Sequence, residues 1–242
     1  MSRDQERSYR KTVTSGDLIP FQIAVKETDL WVSAERVLQK ETLDLVFHCR
    51  HALESYIHIH SEFATSMRPW EPDPYAPPLV REMIRVSGMV GVGPMAAVAG
   101  AIAQFVGQGL LQFTDQVIVE NGGDVFLKAR RPVRISILAG HSPLSGRLGL
   151  SVPPDDMPLG VCSSSGTLGH SLSMGIADTV CVVAASAALG DGTATALGNR
   201  IKRKTDLEAA ANWAKGIQGV RGGVAIVGDQ MVTWGDIQLV AL

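Results

Sequence analysis

Asp115–Ala129, DQVIVENGGDVFLKA, decides the fold class. Apolar residues alternate on both sides of Gly122-Gly123, which reads as strand, turn, strand, because Asn-Gly sequences favour tight hairpins. The same pattern extends outward. Residues 18–33, LIPFQIAVKETDLWVS, are two short strands around KETD. PVRISILAG and GRLGLSV are further strands, and ADTVCVVAAS is a buried one. GGVAIVGD and MVTWGDIQLVAL close the chain as two more. Between the paired strands lie helical patterns. Ala34 to about Phe63 places Leu38, Leu45, Cys49, Leu53, Tyr56 and Phe63 at three- and four-residue steps or their multiples. Shorter helices follow at Pro78–Val86, Pro94–Phe105, after Ala187, and from Asp206 to Lys215. Hairpin-like strand pairs with helices between them predict an α+β fold with a largely antiparallel sheet. One domain over residues 1–242 is expected, with residues 1–15 a frayed start.

Composition removes several function classes. The 242 residues carry a net charge of −2, which gives no global attraction to nucleic acid or anionic lipid. Aromatics are 5% and glycines number 25, so close backbone contacts take precedence over stacking platforms. Cys49, Cys162 and Cys181 are widely spaced and odd in number, against a disulfide framework or thiolate zinc. The charged start, MSRDQERSYRK, has no apolar run behind it, and a cytoplasmic protein is expected. No charge occurs between Arg85 and Asp115, but Gly88, Gly91, Gly93 and Pro94 break that run. It reads as a closely packed buried helix rather than a membrane span.

Four stretches carry candidate chemistry. In AALGDGTATALG, Ala187–Gly198, Asp191 and Thr195 stand four apart on one helix face. They are hard oxygen donors suited to Mg²⁺ or Ca²⁺, or else Asp191 is a helix N-cap. GVGPMAA, Gly91–Ala97, presents Gly91 and Gly93 before a helix start, where free N–H groups suit a phosphate. Alternatively those glycines permit tight packing. ENGGDVFL groups Glu120, Asn121 and Asp124 around Gly122 and Gly123, a turn that also leaves room for a flat ligand. CSSSGTLGHSLSMG holds Ser163, Ser164, Ser165, Gly166, Thr167 and His170, hydroxyls beside glycines that suit an anion-binding loop. His170 is there as a base, a phosphate donor or a hydrogen-bonded buried histidine. GHSLS, GHSPL and CSSSG each lack one glycine of the G-x-S-x-G elbow, against a serine hydrolase. His48, His51, His58 and His60 form no metal spacing, and KARRPVR and NRIKRK read as solvated basic faces.

Taken in order, VGVGPMAAVAGAIAQ, VENGGDVFL, SSSGTLGHSLSMGIADTVCVVA and GDGTATALGN resemble a bacterial and archaeal family of unassigned activity within the ApbE-like superfamily. The resemblance covers about Pro69 to Leu242; that to the catalytic ApbE proteins rests on a few short motifs. ApbE proteins are Mg²⁺-dependent flavin transferases that split FAD, attach FMN to a partner threonine and release AMP. The resemblance therefore implies an α+β fold of duplicated, antiparallel character, with Mg²⁺ and FAD or FMN as cofactors. It matches the metal-helix aspartate and threonine at Asp191 and Thr195, with Gly190 where the family has alanine. It sets a backbone carbonyl ligand near Gly91, the Gly-Gly-acid element at Gly122, Gly123 and Asp124, and the Ser-Gly element at Ser165 and Gly166. His170 corresponds to the family's later histidine, without its Asp-Pro pair. The Lys-Gly-Tyr-Ala-Val-Asp motif is here VGPMAA: Val92 replaces lysine, Ala97 replaces aspartate, and Gly93 is kept. Each lost bond to a charged group costs about 1.5–3 kcal/mol of ligand binding.

Two expectations follow. One is a site for a phosphate-bearing small molecule between the Gly91–Pro94 turn, the Asp124 turn, the Ser163–His170 loop and the Asp191 helix. As an enzyme it uses Mg²⁺ on Asp191 and Thr195 with His170 or Asp124 moving a proton, in a homodimer. The other is a non-catalytic binding or scaffold protein that kept the fold and lost the transferase chemistry.

Overall fold

The computed structural model describes residues 16–165 and 175–242. Strands β1 (Ile19–Val25) and β2 (Thr28–Ala34) form the first hairpin. Helix α1 (Gln39–Ile59) buries Thr42, Val46, Cys49, Leu53 and Tyr56, the three- and four-residue steps of one apolar stripe. It starts five residues later than the periodicity predicts, because β2 claims the chain to Ala34. The proline-rich connector leads to α2 (Pro78–Val90), with Pro at its first position and left-handed Gly91 (φ 77°) as its end. A 3₁₀ turn at Pro94–Ala97 precedes α3 (Val98–Leu110). α2 and the segment Pro94–Leu110 meet at 103°, and no single helix among the described residues is long and apolar enough to cross a membrane.

The deciding hairpin is β3 (Val117–Asn121) and β4 (Asp124–Lys128). It is followed by β5 (Val133–Ser136), β6 (Leu148–Val152), β7 (Leu159–Ser164) and β8 (Thr179–Ala184). Helices α4 (Ala187–Arg200) and α5 (Leu207–Lys215) precede β9 (Val220–Val227), β10 (Gln230–Gly235) and β11 (Gln238–Ala241). Eight strands form one antiparallel sheet in the order β1-β2-β3-β4-β7-β8-β9-β10, and β11-β6-β5 form a smaller one. This is the α+β architecture that the hairpin pattern predicts.

Two local expectations are corrected. MVTWGDIQLVAL is two strands in different sheets, divided at Gly235 (φ 70°), where an added Cβ would lie 2.0 Å from the Arg221 carbonyl oxygen. CSSS is no loop, since Cys162–Ser164 finish β7. Small hydroxyl residues hide a strand from propensity rules, yet cross-strand pairing on both sides of β7 holds them extended.

The central strands of the large sheet are buried on both faces. Val117, Val119 and Phe126 point to the helices, while Ile118, Val125 and Leu127 point to Val133, Ile135, Leu150 and Val152 of the small sheet. Each fully buried side chain of this size contributes roughly 1.5–3 kcal/mol. α4 lies directly on β7, and this explains its small residues. A Cβ on Gly160 would sit 2.3 Å from the Ala187 Cα, and one on Gly190 3.0 Å from the Cys162 Sγ.

Candidate functional site

The site begins at the β3–β4 turn. Gly122 (φ 65°) and Gly123 (φ 109°) both take positive φ, as a two-residue hairpin of matching twist requires. That turn pairs Asn121 with Asp124, and both side chains are buried. Asn121 donates from Nδ2 to the Ala99 carbonyl oxygen at 3.1 Å, which fixes it on the helix face. Asp124 pairs in turn with Cys162 of β7, whose Sγ donates to the Ala187 carbonyl oxygen at 3.1 Å. The carboxyl of Asp124 thus lies under the first turn of α4.

Asp191 does not cap its own helix. The N-cap of α4 is Ser186, whose Oγ accepts from the Leu189 N–H at 3.1 Å. Asp191 caps α3 instead: its Oδ2 accepts the Gly100 N–H at 2.9 Å, and the Ala99 N–H also bonds to its carboxyl. The N-cap of α3 itself is Ala97, which offers no side-chain acceptor. The α3 N-terminus therefore already holds an anion, the Asp191 carboxyl. Gly100 makes this approach possible, since a Cβ there would meet the Ala187 oxygen at 2.3 Å.

Along α4, residues 187–190, 192–194 and 196–198 are buried, while Asp191, Thr195 and Asn199 are half-buried. These three lie at successive i, i+4 positions and form the one polar stripe of α4 that reaches solvent before its last residue. Asp191 is enclosed by protein and still keeps an open side.

The electrostatics are those of acids crowded without a counter-charge. Burial lifts Asp191 to about 7, against the pull of the Ala99 and Gly100 N–H groups. Asp124 is pushed well above the carboxylate range by burial, then by the Asp191 charge and, more weakly, by Glu120. The Cys162 thiol and the Ser163 N–H bond to Asp124 and only partly offset this. Among the described residues, no basic group acts on either carboxyl. Cys162 stays a thiol, raised by burial and by both aspartates. Asp124 Oδ1 and Ser164 Oγ are buried without a hydrogen-bond partner among the described residues. Ser164 stands two residues from Cys162 along β7, on the same face as Asp124.

The structure thus brings Asn121, Asp124, Ser164 and Asp191 together, with Thr195 one turn further on, whereas the Ser163 side chain lies on the opposite face of β7 toward Cys181 and only its backbone N–H reaches Asp124. Ser165 donates from Oγ to the Asp178 carbonyl oxygen at 2.7 Å, at the start of β8. Gly166, Thr167 and His170 lie outside the described residues. Gly91 ends α2, and Gly93 packs so closely on Ser66 that a Cβ would lie 1.7 Å from its carbonyl oxygen. Backbone geometry thus accounts for both of these glycines. Sequence reasoning missed Cys162 as a neighbour of Asp124, because only the β4–β7 register brings them together. Among the described residues, no group of three or more His, Cys, Asp or Glu side chains is arranged to hold a metal ion.

Comparison with known proteins places the chain in a family and matches its fold. A family model described as AbpE bacteria matches residues 10–219. A UPF0280 protein of Methanocella arvoryzae is 40% identical over 212 residues, covering 87% of this chain and 86% of its own. One from Methanosphaerula palustris is 39% identical over 225 residues, covering 91% and 92%. Among solved structures, the apo flavinyl transferase ApbE of Pseudomonas stutzeri superposes with a TM-score of 0.56 at 15% identity, over 90% of this chain and 94% of its own. The flavin transferase ApbE of Vibrio cholerae gives 0.56 at 14% identity, over 90% and 96%. These two share the fold. The chain belongs to the AbpE bacteria family and has the α+β fold of the ApbE flavin transferases.

Proposed function

We propose that this protein binds a phosphate-bearing small molecule, a flavin nucleotide by analogy with its structural neighbours, with a divalent cation at Asp191. The observation that carries this is the pairing of Asp124 with Asp191. The Asp191 charge acts on a buried Asp124, no basic partner stands beside either among the described residues, and one oxygen of Asp124 has no hydrogen-bond partner among them. Such an arrangement is stable only when protonated or when a cation is near. Hard oxygen donors fit Mg²⁺, which is commonly held by one or two carboxylates together with substrate phosphates. Asp191 and Thr195, on the open stripe of α4, would hold it. When bound, Mg²⁺ offsets the charge of a pyrophosphate as it breaks.

The remaining steps belong to this chain's own groups. Asp191 fixes the α3 start, and Asn121 ties that start to the sheet. Asp124, whose proton affinity burial and the Asp191 charge raise, is the candidate to donate a proton to an oxygen leaving group. His170 is the second candidate for proton transfer. The unpartnered Ser164 hydroxyl and the Gly122-Gly123 turn contribute contacts to phosphate and to a flat ring.

A non-catalytic reading is favoured by one observation. Val92 and Ala97, where the ApbE motif has lysine and aspartate, are both buried, and the α3 N-terminus beside them is filled by Asp191. Calorimetric titration with FAD, with and without Mg²⁺, in the wild type and Asp191→Ala, tests the proposal. Mg²⁺-dependent binding lost in the variant supports it, and release of AMP from bound FAD separates enzyme from binding protein. No FAD binding under any condition contradicts the flavin assignment.

A further inference from the structure

A second cleft lies where α2 passes α3 and the start of α4. It has a volume of about 310 Å³ and is lined by Pro78, Arg81, Glu82, Arg85, Gln104 and Phe105. Gln104 stands one turn along α3 from Gly100 and is only 8% exposed. Its Oε1 accepts the Ala188 N–H at 3.2 Å, which fixes the oxygen end of the amide toward α4. The Nε2 end is thereby turned toward the cleft, and no described residue accepts a hydrogen bond from it. The donor is not sealed off but opens to solvent in the cleft, where it can exchange water for a ligand acceptor.

The charges around the cleft are unequally committed. Arg85 is spent on Glu82, donating from Nε and Nη2 at 2.8 Å each. Glu82 also accepts from the Ser186 hydroxyl at 3.3 Å. Arg81 has only a long contact, 3.4 Å, to the Pro74 carbonyl oxygen. One guanidinium and one amide donor are left to converge on an acceptor, with Phe105 and Pro78 as apolar walls. The nearby Glu82 carboxylate disfavours a dianion such as phosphate. We infer that this cleft binds a small monocarboxylate with a flat apolar body, its carboxylate held by Arg81 and the Gln104 Nε2 and its ring against Phe105. This site does not depend on the Asp191 reading.

Sodium benzoate is the probe. ¹H–¹⁵N spectra of the full chain are followed at the Gln104 side-chain amide while benzoate is added. Arg81→Gln removes the charge from an exposed side chain. Gln104→Glu keeps the acceptor for Ala188 and replaces the donor by an oxygen. Expected are a saturable shift of the Gln104 amide in the wild type, at least tenfold weaker benzoate binding in each variant, and unchanged binding in Asp191→Asn. Inorganic phosphate at pH 8 should bind at least tenfold more weakly than benzoate. A shift that does not saturate, binding that survives both Arg81→Gln and Gln104→Glu, or phosphate binding as tight as benzoate overturns the assignment.

Discussion

Without divalent cations, the protein should be more stable to urea at pH 5 than at pH 8, and Asp191→Asn should remove most of that difference. In the unfolded chain both aspartates ionise near pH 4. In the folded chain burial holds Asp191 at about 7 and, with the Asp191 charge, pushes Asp124 higher. The folded state therefore keeps protons that the unfolded state has already released. For a raised carboxyl, the stabilisation is complete below the unfolded value and is lost as pH rises through the folded one. The loss from Asp191 falls between about pH 4 and pH 7. Of this rise, about two units at about 1.4 kcal/mol each fall between pH 5 and pH 7, on the order of 3 kcal/mol. The open side of Asp191 and residual structure in the unfolded chain reduce this to roughly 2 kcal/mol. Asparagine keeps an acceptor for the Gly100 N–H and carries no titratable proton. It also removes the charge that raises Asp124, so the slope from both groups shrinks. Urea titrations at pH 5, 6, 7 and 8, followed by tryptophan fluorescence, measure the slopes. Parallel pH profiles in the wild type and Asp191→Asn would refute the reasoning.

Other outcomes follow from single contacts. Gly100→Ala should cost about 2–3 kcal/mol in urea unfolding despite alanine's better helix propensity, because its Cβ would meet the Ala187 backbone oxygen at 2.3 Å. Ser186→Ala, which removes the α4 cap on Leu189, should cost about 1 kcal/mol by the same assay. Cys49 and Cys181 are buried, with thiols raised to about 11, and buried Cys162 is also raised well above the ordinary thiol value. The native protein should therefore react with a thiol-directed disulfide reagent only at its unfolding rate, and a fast reaction of one thiol per chain at pH 8 would contradict this.

The fold was legible because its deciding hairpin carries a local signal. The Gly122-Gly123 pair and the alternation on either side need no tertiary context. β7 was illegible for the opposite reason, since Cys162–Ser164 are extended only because β4 and β8 hold them. Asp191 shows a deeper limit. Its spacing to Thr195 and the small residues around it were readable, and both capping and metal binding were open. The structure shows capping of a different helix, ninety-one residues away, and sequence spacing carries no information on that. Gly93 reads as a phosphate contact until its approach to Ser66 is seen. The pairing of Asp124 with Asp191 was equally hidden, because it depends on the register between β4 and β7 and on how closely α4 lies on the sheet.

The central claim is that Asp191 and Thr195, beside Asp124, take a divalent cation, and Mn²⁺ titration followed by electron paramagnetic resonance tests it most directly. The account predicts one Mn²⁺ per chain, displaced by excess Mg²⁺, and at least tenfold weaker in Asp191→Asn and in Thr195→Val. Absence of saturable Mn²⁺ binding in the wild type, or binding indifferent to both substitutions, would mean that Asp191 serves only to hold the start of α3.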